Sequence, residues 1–155
     1  MNTLLKNMML ALLSLGIVQA VWADDVPDLQ KTLQSARQGN AAAQFNLGLM
    51  YDKGQGGVRQ DHAEAFKWYS QAAKQGFGLA QYNLGVMYDR GLGVRKDYAQ
   101  AVKWYRQAAQ QGFAQAQYNL GVMYYDGLGV RKDYSQAAKW MRQTAQQGNA
   151  RAQYN

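Results

Sequence analysis

The stretch "AQYNLGVMYDRGLGVRKDY" (Ala80–Tyr98) returns as "AQYNLGVMYYDGLGVRKDY" (Ala116–Tyr134) with two changes, Asp89 to Tyr125 and Arg90 to Asp126. So close a copy means one structural unit stacked on itself, and most of its letters then serve packing rather than chemistry. The tryptophans give the step: Trp68, Trp104 and Trp140 lie 36 residues apart, and Gly76, Gly112 and Gly148 keep the same interval. A period of this length is the mark of a solenoid or array. Gly39 precedes Gly76 by 37 residues because the first loop, "DKGQGGVRQD", is one residue longer than "DRGLGVRKD". An insertion tolerated there identifies a surface loop.

Each unit reads as two helices. In helix A, Ala80, Leu84 and Tyr88 recur every four residues and make one apolar stripe, while Gly85 leaves room for another backbone to approach. The helix stops at "DRGLGV", where Gly91 and Gly93 can take positive φ and Val94 can tuck under the pair. Asp97 then opens helix B as its N-cap, with Gln100 completing a capping box; Asp61 with Glu64 and Asp133 with Gln136 repeat the arrangement. Along helix B, Ala101, Trp104, Tyr105 and Ala108 fall at helical spacing, and "QQG" closes it at Gly112. Two such amphipathic helices cannot bury their stripes alone, so neighbouring units must stack.

The ends follow the same grammar. "DLQKTLQSARQG" (Asp28–Gly39) matches the end of a helix B, with Lys31 where Trp68 stands one period on, as an exposed capping helix requires. "ARAQYN" begins another helix A, so the sequence reads as a fragment of a longer array. The expected division is a signal peptide over residues 1–23, a capping helix over 24–39, and repeats over 40–76, 77–112 and 113–148. Residues 149–155 would open an incomplete fourth repeat.

Lys6 followed by the eleven-residue apolar run Met8–Val18 has the form of an export signal, too short for the roughly 20 residues that span a bilayer. Val21 and Ala23 suit signal peptidase, placing cleavage after Ala23, with Ala20 as the rival site. The chain has no cysteine, which excludes a disulfide framework and a lipid-modified cysteine. A periplasmic or secreted protein, stable by packing alone and without membrane insertion once the signal is removed, is the expectation. The net charge of +7 favours anionic partners only weakly, because an exported protein rarely meets nucleic acid.

The pattern Ala80, Tyr82, Leu84, Gly85, Tyr88, Gly91, Gly93, Val94, Asp97, Ala101, Trp104, Ala108, Ala109 and Gly112 resembles the Sel-1-like repeat (SLR), a relative of the tetratricopeptide repeat. Three units, roughly Ala41 to Gly148, carry it. The resemblance implies an all-α, right-handed α-solenoid of stacked antiparallel helix pairs whose helices A line a concave face. It also implies an adaptor that holds a peptide or protein there.

By analogy with tetratricopeptide helices, the concave residues are Phe45, Leu49 and Asp52, then Tyr82, Val86, Asp89 and Arg90, then Tyr118, Val122, Tyr125 and Asp126. Phe45, Tyr82 and Tyr118 would form a ladder of rings gripping an extended segment; the competing reading is that they pack between adjacent helices A. The two changes in the duplicated stretch fall at the rim, where partner specificity would reside. Arg59, Arg95 with Lys96, and Arg131 with Lys132 recur after each glycine loop as a basic ridge, suited to acidic proteins or anionic surfaces or serving as a solvated edge.

His62 is the only histidine, so neither a zinc site nor a cysteine–histidine or serine–histidine pair can be assembled. We expect no catalytic residue, no metal and no cofactor, and a monomer that binds protein rather than nucleic acid. The alternative that the resemblance raises is an envelope hydrolase or a cell-wall or β-lactam-binding protein of the cysteine-rich SLR type. This chain departs from that type at every cysteine.

Overall fold

The computed structural model describes residues 28–153, with side chains as far as Gly148; the export signal expected over 1–23 lies outside them. Seven helices follow one another: α1 (Leu29–Arg37), α2 (Ala41–Lys53), α3 (His62–Lys74), α4 (Gly78–Arg90), α5 (Tyr98–Gln110), α6 (Ala114–Asp126) and α7 (Tyr134–Gln153). Each packs on its neighbours in sequence, which makes the chain an all-α solenoid. Helices α2, α4 and α6 are the A helices; α3, α5 and α7 are the B helices.

The core lies at the junctions between units. Tyr69, Ala72 and Ala73 of α3 meet Leu84 and Met87 of α4, and Trp104 of α5 closes that junction. Tyr105, Ala108 and Ala109 of α5 meet Leu120 and Met123 of α6, and Trp140 closes the next. Each of these tryptophans therefore plugs the seam between the preceding unit and its own. Lys31 holds the equivalent position in α1, where among the described residues no earlier unit packs, and its side chain is 86% exposed.

The N-caps form as the spacing predicts. Asp61, Asp97 and Asp133 accept from the amides of Glu64, Gln100 and Gln136 at 2.9–3.0 Å. The returning half of the capping box is replaced, however. The cap residues' own amides donate to the carbonyls of Tyr51, Tyr88 and Tyr124, each at 2.9 Å, so the start of every helix B is tied to the end of its helix A. The side chains at N3 are left for other work: Glu64 pairs with Lys67. Asp97→Ala is accordingly expected to cost about 1 kcal/mol in urea denaturation, the usual worth of a lost N-cap.

Two further expectations are corrected. Gly85 does make room, but for a ring rather than a backbone: a Cβ there would sit 2.6 Å from Cδ1 of Tyr105. Helix B of the last unit does not close at Gly148; α7 runs on to Gln153. At Gly39, Gly76 and Gly112 the backbone is left-handed and a thirteen-residue helix A packs back on the preceding helix. Among the described residues no such helix follows Gly148, and local helical preference then carries the chain through the glycine.

A set of buried glutamines goes beyond the predicted stripe. Gln81 Nε2 donates to the Ala73 carbonyl (3.2 Å) and to Gln107 Oε1 (3.1 Å), while its Oε1 accepts from Gln111 Nε2 (2.7 Å). Gln44 and Gln117 do the same for the carbonyls of Ala36 and Ala109. Each finds an acceptor in a last-turn carbonyl of the preceding helix, one that also accepts the amide of Gly39, Gly76 or Gly112, which is why a polar side chain is tolerated inside the junction.

Candidate functional site

Between the first two repeats lies a cleft of about 430 Å³. Leu49 and Asp52 reach it from α2, and Tyr82, Val86 and Arg90 from α4, so five of the residues expected on the partner face share one depression. Tyr69 of α3 and Asn83 of α4 line it too. The three-ring ladder is graded. Phe45 is packed, its ring 5.7 Å from Tyr69 and 5.2 Å from Phe77. Tyr82 is half-buried and leans on Tyr105 at 6.0 Å. Tyr118 is 50% exposed. The gradient follows from the neighbours: where α3 and α5 carry Tyr69 and Tyr105, α7 carries Met141.

The rim changes have a structural reason. Asp89 is half-buried and accepts from the hydroxyl of Tyr105 (3.3 Å). In the third unit Met141 has no hydroxyl to offer, and the acceptor becomes Tyr125, 55% exposed and edge-on to Tyr134 at 5.2 Å. Tyr125, Tyr134, Ala137, Ala138 and Met141 line an apolar depression of about 440 Å³. Val122 is half-buried and Asp126 exposed beside it.

In the first unit the same pair of positions holds Asp52 and His62. His62 Nδ1 lies 3.1 Å from Asp52 Oδ1, and Lys53 Nζ lies 3.6 Å from Oδ2. The positions thus run Asp52 with His62, Asp89 with Tyr98, then Tyr125 with Tyr134, from charged to aromatic along the array. His62, Tyr69 and Asn83 were missed as site residues; aligning the three units column by column would have flagged the first of them.

Burial pushes the phenols of Tyr69 and Tyr105 well above the ordinary tyrosine range, and the charges of Asp52 and Asp89 add to the effect. Both therefore stay protonated at neutral pH. The ridge residues Arg59, Arg95, Lys96, Arg131 and Lys132 are all exposed and occupy matching loop positions. Lys96 and Lys132 lie over the rings of Tyr98 and Tyr134 at 5.4 and 5.9 Å, which gives two of the cations a local role beside their aromatic neighbours. Among the described residues no helix is long and apolar enough to cross a membrane, and no group of three His, Cys, Asp or Glu side chains gathers as a metal site would need.

The Sel1 repeat matches three times in succession, over residues 41–77, 78–113 and 114–149. The solved structure of c5321, titled a protective antigen present in uropathogenic Escherichia coli strains displaying an SLR fold, is 46% identical, with a TM-score of 0.75 over 79% of this chain. The chain spans only 26% of that protein's length. A Sel1 repeat protein from Oxalobacter formigenes is 34% identical, with a TM-score of 0.73, the match covering 81% of this chain and 95% of that one. Helicobacter pylori cysteine rich protein B shares the fold, at 23% identity and a TM-score of 0.58 over 76% of this chain and 84% of its own. No curated protein matches the sequence. Sel1 repeats generally serve as protein–protein interaction scaffolds. With three consecutive repeats over most of its length, the chain belongs to the Sel1 repeat family.

Proposed function

We propose that this protein is a non-enzymatic adaptor that holds an extended peptide or a protein partner along the face made by its A helices. The observation that carries the reading is the continuity of that face. A polar cleft at the first junction is followed by Tyr118 and Tyr125, large rings left at least half-exposed, with the exposed ring of Tyr134 beside Tyr125. Exposed rings next to a groove are the usual anchors of peptide recognition. Export through residues 1–23 would place the adaptor, as a monomer, in the cell envelope or outside it, and the basic ridge would then favour acidic partners.

The test uses peptides selected from a random display library against the purified protein. A Tyr118→Ala, Tyr125→Ala double variant is expected to bind them at least about tenfold more weakly, as loss of interface anchors does. Circular dichroism should be unchanged, because neither ring belongs to the buried core. Peptides retained with undiminished affinity by the folded variant would remove the A-helix face as the binding surface.

A further inference from the structure

The charges of the chain are sorted by helix type. As far as Gly148, the three B helices carry Lys67, Lys74, Lys103, Arg106, Lys139 and Arg142 against a single carboxylate, Glu64, which Lys67 holds. The A helices carry Asp52, Asp89 and Asp126 against Lys53 and Arg90. Only Arg106 among the B-helix cations is half-buried, donating to the Tyr124 hydroxyl at 2.8 Å; the others are exposed, so packing does not call for them.

Spacing gathers these cations on one stripe per unit. Residues at i, i+4 and i+7 share a helix face. On that face stand Lys67, Gln71 and Lys74, then Lys103, Gln107 and Gln110, then Lys139, Gln143 and Gln146, all of them exposed or half-buried. The large apolar side chains left exposed among the described residues, Leu79, Tyr118, Tyr125 and Tyr134, belong to none of these stripes. The stripes therefore offer nothing to insert into a bilayer or to stack on bases.

Between the last two stripes lies a depression of about 590 Å³, lined mainly by Gln110, Gln117, Gln143, Gln146, Gln147 and Trp140, with no charged side chain in its wall. The glutamine ladder breaks there. Gln44 and Gln81 donate to Gln71 and Gln107 at 3.2 and 3.1 Å, whereas Gln117 makes no such bond to Gln143. Gln147 reaches Gln117 at 3.3 Å, against 2.7 Å from Gln111 to Gln81. Among the described residues the side-chain amides of Gln110, Gln143 and Gln146 have no partner, and each can donate and accept at once, as a hydroxyl-rich ligand requires.

A column of lysines calls for negative charge, the glutamines call for hydroxyls, and recurrence every 36 residues calls for a ligand that repeats as well. We infer that the B-helix face docks an acidic polysaccharide. The column of Lys67, Lys103 and Lys139 meets its carboxylates, and one sugar residue enters the depression between α5 and α7. This is a second partner on a second face, and its failure would leave the A-helix reading untouched.

The test is isothermal titration of the full chain with polygalacturonate, which carries carboxylates and hydroxyls together, beside dextran, poly-L-glutamate and phosphatidylglycerol vesicles. Polygalacturonate should bind at least about tenfold more tightly than each of the others, the worth of two or three hydrogen bonds or surface ion pairs. Combining Lys74→Glu, Lys103→Glu and Lys139→Glu should abolish binding with circular dichroism unchanged. Combining Arg59→Glu, Lys96→Glu and Lys132→Glu, an equal change of net charge on the loops, should retain it within about threefold. Gln110→Ala, Gln143→Ala and Gln146→Ala together place a strong helix former at three helical positions and should remove the preference over poly-L-glutamate. Equal affinity for poly-L-glutamate or for dextran overturns the inference, because charge alone or hydroxyls alone would then suffice. Tighter binding to the vesicles overturns it in favour of a membrane, and equal loss in the two charge variants overturns the B-helix face. Polygalacturonate that does not bind overturns it outright.

Discussion

Gly93→Ala is expected to destabilise the protein by roughly 3 kcal/mol, a large loss for a single methyl group. Two penalties combine. Gly93 sits at φ +65°, a left-handed conformation that costs an L-residue about 1–2 kcal/mol. A Cβ there would also drive into the backbone of His62 and Ala63 at the start of α3, in the preceding unit. Backbone cannot swing aside as a side chain can, so two stacked units must separate, adding about 1–3 kcal/mol. Gly76→Ala separates the contributions: φ is +87° but nothing lies within 4 Å of the added carbon, so only the conformational penalty should be measured. Gly129 meets the backbone of Tyr98 in the same way, and Gly129→Ala should match Gly93→Ala. The measurement is urea denaturation of all three variants. Equal losses at Gly76 and Gly93 would show that the loop does not lock one unit onto the next.

Stability should also collapse in alkali above about pH 10, the ordinary tyrosine value. Tyr69 and Tyr105 are both 1% exposed, and burial holds both phenols protonated well past the pH at which they ionise in the unfolded chain. Below that pH both states keep the two protons, and these residues contribute no pH dependence. Above it the unfolded chain releases them and the native chain does not, so the unfolded state binds fewer protons and stability falls as pH rises. The slope reaches about 2.7 kcal/mol per pH unit for two fully shifted groups. Tyr88, raised more simply by partial burial, acts in the same direction. Denaturation followed at pH 9, 10 and 11 gives the slope directly. Tyr69→Phe should remove about half of it without cost at neutral pH, since that hydroxyl has no partner to lose. A slope unchanged by Tyr69→Phe would mean that the ring becomes exposed before it ionises.

The period of 36, the two helices per unit, the aspartate caps and the left-handed glycines were all legible because each depends on residues within one turn or one loop. Gly91 at φ +71° and Asp97 accepting from Gln100 are local geometry written in local letters. The site was less legible. Tyr82 and Tyr118 occupy identical columns, yet one is covered and the other open, because exposure depends on whether Tyr105 or Met141 lies opposite.

The sequence alone thus determined the repeat, the alternation of helices and the family, since these rest on spacing that survives any change of partner. Only the tertiary structure decided that Gly85 admits a ring, that the cap amides tie helix B to helix A, and that Gln81 sits inside a junction. It alone also left the Tyr69 hydroxyl without a partner at the edge of a cleft. The physical reason is common to all four. Each is a contact between residues on different helices, and the strength or absence of such a contact depends on which side chain the neighbouring helix presents.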